Sequence, residues 1–125
     1  MANQYKGEIK GSLGGQDRTF RLTFDSIVNI ENKTGKSIMT ITNDLALSRY
    51  AMKDMVIILH EALIGAGAKI VEKAVGDMVI QTGLIQAGKL TGEVLATIFT
   101  GESKDTESPL VQGENEQKIT QSNNT

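Results

Sequence analysis

Two stretches of alternating side chains meet at a pair of glycines, and after them the repeat changes for the rest of the patterned chain. In the first stretch Tyr5, Ile9 and Leu13 share one face, with Gly7 and Gly11 between them, while Lys6, Glu8, Lys10 and Ser12 share the other. In the second, Phe20, Leu22 and Phe24 fall on one side of Arg18–Phe24. Between them lies Gly14-Gly15-Gln16-Asp17, whose glycines accept positive φ, so residues 5–23 read as an antiparallel β-hairpin. A lone hairpin is marginal in water, so its apolar face must rest on something else. Beyond residue 24 the chain is helical in period, which predicts a hairpin laid on helices.

Four to five helices are expected after the hairpin. Residues 25–34, capped by Thr23 or Asp25, turn Ile27, Val28, Ile30 and Thr34 inward and stop at Gly35. Ser37 caps a weaker helix over 37–47, built on Ile38, Ile41 and Leu45. The clearest pattern spans 52–66, where Met52, Met55, Val56, Leu59, Ala62, Leu63 and Ala66 make a stripe broadened by Ile57 and Ile58. So wide a stripe predicts a central helix touched from more than one side. A short helix over 69–75 is expected to stop at Gly76-Asp77, and a last one covers 84–100 with Gly88 and Gly92 one turn apart. The fold class predicted is α+β, one domain over residues 1–100. With only 4% aromatic residues and no tryptophan, Leu, Ile, Val, Met and Ala must fill its core. Residues 101–125 carry Lys104 and Lys118 against five carboxylates and few large apolar groups, which predicts a disordered, acidic polar tail.

Composition narrows the chemistry. Without cysteine there is no thiol nucleophile, disulfide or cysteine metal site, and a single histidine cannot supply a two-histidine constellation. His60 begins H-E-x-x, but position 64 is Ile64, and His60 and Glu61 point about 100° apart on a helix. His60 therefore reads as a histidine at the edge of the core. Gly11–Gly15 lacks the lysine of a phosphate loop and leads into a strand, and Gly65-Ala66-Gly67 comes after a helix instead of opening one. Gly88 and Gly92 read as a site of close packing within the chain. Lys6, Lys10, Arg18 and Arg21 are interrupted by Glu8 and Asp17, which suits a solvated strand face. The expectation is a protein that is not an enzyme, with no catalytic, cofactor-binding or metal-binding residues. Thirteen basic against fifteen acidic residues give a net charge of −2, so no nucleic-acid partner is expected. The longest apolar run, Met55–Leu59, is far short of a membrane span, and the polar start lacks a signal-peptide core.

Four stretches taken together resemble a known family. They are G-E-I-x-G-x-L-G-G-x-x-R-x-F-R-L-T-F (Gly7 to Phe24), I-x-x-I-E-x-x-T-G-K-S (Ile27 to Ser37), D-M-V-I-I-L-H-E-A-L-I-G-A-G (Asp54 to Gly67) and I-F-T-G (Ile98 to Gly101). Across residues 4–101 the chain resembles the gene transfer agent family of small phage tail proteins, which includes tail assembly chaperones encoded between the tail tube and tape measure genes. The resemblance implies a chaperone that binds the tape measure protein, the tail tube protein or both, with self-association an option. Such a protein acts in the bacterial host cytoplasm and is absent from the mature particle. The alternative is a structural tail tube or tail-associated virion protein. A small DNA-binding regulator is the remote alternative, lacking a concentrated basic helix. One departure stands out: where a Ser or Thr cap is expected before the central helix, this chain has Arg49-Tyr50-Ala51-Met52.

Overall fold

In the computed structural model, residues 7–100 are described, and they form a two-stranded antiparallel sheet followed by five helices, an α+β fold. Strands β1 (Glu8–Leu13) and β2 (Gln16–Arg21) pair with Ile9 opposite Phe20 and Leu13 opposite Gln16. Gly14 and Gly15 sit at φ 66° and 80°. Two consecutive positive φ angles match the twist of the flanking strands, as a two-residue hairpin turn requires. The register puts Ile9, Leu13 and Phe20 on one face, each almost fully buried.

The chain leaves the sheet through a reciprocal cap. Thr23 Oγ1 accepts from the Ser26 N–H and Ser26 Oγ accepts from the Thr23 N–H, both at 3.0 Å. These bonds satisfy donors that the start of α1 (Phe24–Thr34) would otherwise leave open. Gly35, at φ 73°, ends α1 by donating to Glu31 O. Ser37 then caps α2 (Ile38–Ala46) by accepting from the Thr40 N–H. The central helix α3 (Met52–Gly65) starts at Ala51 without a side-chain cap. Burial holds it instead: Asp54–Leu59 and Glu61–Leu63 are all buried, with α1 and β2, α4, and α5 packed around it. Helices α4 (Glu72–Thr82) and α5 (Leu84–Thr100) complete the order.

Three expectations are corrected. The helix expected over 69–75 begins at Glu72 and continues through Gly76-Asp77 to Thr82. Val75 and Val79 are fully buried one turn apart, with Met78 packed beside them, and this stripe outweighs the roughly 1 kcal/mol that a helical glycine costs. Phe24, expected to continue the apolar strand face, is 79% exposed because it opens α1 after β2 ends at Arg21. In α1 the fully inward positions are Ser26 and Ile30, while Ile27, Val28 and Thr34 are only half-buried. The expected disordered tail, residues 101–125, and the start of the expected hairpin lie outside the described residues.

Candidate functional site

Helix α5 has two unlike sides. Ala87, Leu90, Thr91, Val94 and Leu95 face the core, and the Thr91 hydroxyl is absorbed by Ala87 O at 2.8 Å. The other side carries Ile85, Gly88, Lys89, Gly92, Ala96 and Phe99, and it faces α2 across an open groove of about 560 Å³. Thr42, Leu45 and Ala46 of α2 form the opposite wall, and Tyr50 joins the lining against Gly88. The groove's lining is apolar apart from small hydroxyls and Lys89, which makes no ion pair among the described residues. Ile85 stands 78% exposed at its rim and Phe99 43%.

The loop after α2 shapes the groove. Ser48 takes the left-handed conformation at φ 57°, its N–H reaching Leu45 O at 3.0 Å while the Arg49 N–H reaches Asp44 O at 2.7 Å. This pair of bonds is the Schellman closure of a helix end, with serine where glycine is usual. It turns the chain back so that Tyr50 lies against α5. A methyl group on Gly88 would stand 2.6 Å from Tyr50 Oη, and one on Gly92 would stand 3.7 Å from Leu45 Cδ2. Gly88 thus serves close packing inside the molecule, whereas Gly92 has room for a methyl group.

The flank of the molecule where α1 meets α3 is polar and closed. Glu61, 5% exposed, accepts from Lys33 Nζ at 2.8 Å and from Asn29 Nδ2 at 3.2 Å. Asp54, two turns earlier on the same helix, accepts from Lys36 Nζ at 2.8 Å. The hydrogen bond to Asp54, and then its charge, raise the Lys36 pKa above the ordinary lysine value, against a smaller opposing effect of burial. Both carboxylates are consumed by these contacts, which clamp α1 and the start of α2 onto α3. The T-G-K-S stretch therefore has a mechanical meaning: Thr34 Oγ1 donates to Ile30 O, Gly35 turns, Lys36 reaches Asp54 and Ser37 caps the next helix.

His60 lies half-buried on α3, with Nε2 2.7 Å from Ile70 O. A carbonyl only accepts, so Nε2 donates its proton to it, and Nδ1 is buried with no hydrogen-bond partner among the described residues. The ring ties the α3–α4 connection to α3, and Glu61 points elsewhere, toward α1. The glycine-rich turn is equally occupied, because the Gly14 N–H donates to Thr82 Oγ1 at 2.9 Å. Of the hairpin's cations, Arg18 donates from Nε to Leu13 O, Lys10 is exposed on the solvent face opposite Thr19, and Lys6 lies outside the described residues. Among the described residues no three His, Cys, Asp or Glu side chains converge as a metal site would require. No described helix is long and apolar enough to cross a membrane. Sequence reasoning missed the groove, although the spacing of Ile85, Gly88, Gly92 and Phe99 already outlines a second apolar face on α5.

No curated protein and no solved structure matches the chain. The family model described as phage tail tube protein, GTA-gp10, matches residues 6–101, which cover both strands and all five helices. The chain belongs to that family of phage and gene-transfer-agent tail proteins.

Proposed function

We propose that this tail protein is an assembly chaperone, which holds the tape measure protein, the tail tube protein or both until the tail polymerises. The observation that carries this reading is the groove between α2 and α5. It runs beside a helix of 17 residues and leaves Ile85 and Phe99 in water, an arrangement suited to an apolar helical segment. A chaperone must also let go. A groove with one charged lining residue offers contacts that are individually weak and readily exchanged. On this reading the protein has no enzymatic activity, needs no metal or cofactor, binds neither nucleic acid nor membrane, works in the host cytoplasm and is left out of the finished particle.

A second reading, a tail tube subunit, has the family's own description in its favour. Against it, the described residues contain a single two-stranded sheet, a small stock of strands for a tube wall. Co-expression and particle composition separate the two. The chaperone reading expects higher soluble yield of the tape measure or tube protein on co-expression, and little or none of this chain in purified particles by mass spectrometry. A stoichiometric multiple of the chain in mature tails would overturn it in favour of the tube subunit.

A further inference from the structure

We propose that the outer edge of β1 is an interaction surface whose partner is the same edge of a second copy of this chain. The hairpin turn fixes which backbone groups face outward. A two-residue turn makes Leu13 and Gln16 a hydrogen-bonded pair, and the alternation then bonds Gly11 to Arg18 and Ile9 to Phe20. Glu8, Lys10 and Ser12 therefore turn their N–H and C=O groups away from β2. Among the described residues no third strand takes them up, and no backbone bond from a turn, loop or helix end reaches Lys10 or Ser12. Both of these residues are exposed. The sheet's other edge is closed: Arg21 O, which points outward from β2, lies against Gly65 of α3.

Charge selects the occupant and its register. Only outward-turned residues exchange hydrogen bonds, so two antiparallel β1 strands must match positions 8, 10 and 12 among themselves. A pairing centred on Glu8 sets glutamate against glutamate, and one centred on Lys10 sets lysine against lysine. One centred on Gly11 puts Lys10 opposite Ser12 and brings no unlike charges together. Centred on Ile9, the two-fold pairing puts Glu8 opposite Lys10 of the second copy, and by symmetry Lys10 opposite its Glu8. Ile9 then meets Ile9 on the inner face, and Gly7 meets Gly11. Glu8 already stands opposite Arg21 within the hairpin. The join thus lines up Arg21, Glu8 and Lys10 of the second copy as alternating charges across neighbouring strands. A lysine on an edge strand ordinarily discourages pairing. Here a glutamate two residues away on the same face leaves one register in which that lysine is matched.

The product is a sheet ordered β2–β1–β1–β2 across two copies. It is held along a short stretch of backbone, and is therefore weak and readily exchanged. The inference holds for a chaperone and for a tube subunit alike, and its surface is separate from the groove between α2 and α5.

Sedimentation equilibrium of the full-length chain, at concentrations up to about 1 mM, tests it. Wild type should show a monomer–dimer equilibrium. Lys10→Glu sets glutamate opposite glutamate at both symmetric positions and should weaken the dimer by about tenfold or more. Lys10→Pro removes an outward N–H while sparing the hairpin's own bonds, and should weaken it comparably. Glu8→Lys alone should also stay monomeric. An equimolar mixture of the Lys10→Glu and Glu8→Lys chains should form a heterodimer, because the charges are then matched at both positions. Circular dichroism checks that each variant is folded, and if Glu8→Lys unfolds beside Arg21, the two Lys10 variants decide. A wild-type chain that is monomeric throughout the range would overturn the proposal, as would folded charge variants that stay monomeric when mixed. A dimer that either Lys10 variant leaves intact would overturn it too, by placing the contact on another surface or reducing it to charge attraction without strand pairing.

Discussion

Two flanks of the molecule, the α1–α3 seam and the α2–α5 seam, are built by opposite means. Toward α1 the seam is sealed with paired charges: Glu61 with Lys33 and Asn29, and Asp54 with Lys36. There Gly65 lets the strand backbone approach so closely that an added methyl would collide with Arg21 O. Where α5 faces α2, aliphatic and small residues line both walls and an apolar groove stays open. A seam built from buried carboxylates is intolerant of rearrangement, because separating either pair strands a charge. A seam built from aliphatic side chains and small residues can change partners at little cost. The molecule therefore has a fixed flank and an exchangeable one, and the buried helix α3 is the joint on which α1, β2, α4 and α5 meet.

That joint gives the largest expected effect. Leu59 is fully buried at the middle of α3. Leu59→Asp loses a core side chain, about 2–5 kcal/mol, and adds several more for an unpaired buried ion. The sum rivals the roughly 5–15 kcal/mol that holds a whole domain together. Circular dichroism should show loss of helix and of cooperative melting in one step. A variant that kept a sharp transition with partial helix would show that the flanks fold separately.

Two glycines sharpen the contrast at the next level. Gly65→Ala, on the closed flank, pushes a methyl against the Arg21 carbonyl and to 2.9 Å from Ser26 Oγ, and backbone must give way. Overpacking of this kind costs about 1–3 kcal/mol, and with about 5 °C lost per kcal/mol in a domain of this size the melting temperature should fall by roughly 10 °C. Gly92→Ala, on the open flank, meets only Leu45 Cδ2 at an ordinary 3.7 Å. It should gain up to about 1 kcal/mol of helix propensity and melt slightly higher. Equal losses at both positions would mean that the groove is as tightly built as the clamp.

How much of this was visible in the sequence depends on which physical signal each element carries. The hairpin was legible because alternation and a Gly-Gly turn specify both strand and register, and α3 because its stripe is too wide for a surface helix. The break expected at Gly76 was misplaced: glycine propensity is a local cost of about 1 kcal/mol, and the burial of Val75 and Val79 decided the matter from a distance. The exposure of Phe24 was equally hidden, since the Thr23–Ser26 cap ends the strand through hydrogen bonds that hydrophobic alternation does not encode. Lys33, Lys36, Asp54 and Glu61 are plain charges along the chain. Their pairing depends on how α1 is laid against α3, which brings residues far apart in sequence into contact, and only the tertiary fold supplies that. The groove was half legible, as the second apolar face of α5, but its opposite wall depends on the Schellman turn at Ser48, where the usual glycine is missing.

The smallest expected effect concerns the clamp's ionisation. Lys36 holds its proton more tightly in the folded chain than its ordinary pKa of 10.5, chiefly through its hydrogen bond to Asp54 and then through that carboxylate's charge. A folded-state pKa raised above the unfolded one contributes stability that is fully present below the unfolded value. The contribution is lost as pH rises through the folded value. Lys36→Gln removes the ammonium and with it this dependence. In urea melts, wild type should exceed Lys36→Gln by a constant margin from about pH 7 to about pH 9.5, and the margin should shrink at more alkaline pH. The margin itself should be modest, because the Lys36 side chain is 37% exposed and solvent screens its attraction to Asp54. A gap that stayed constant or widened at alkaline pH would show that Lys36 stabilises the closed flank by packing its aliphatic stem and not by its charge. The clamp would then owe its rigidity to the same aliphatic contacts as the groove, and the contrast between the two flanks would be one of degree.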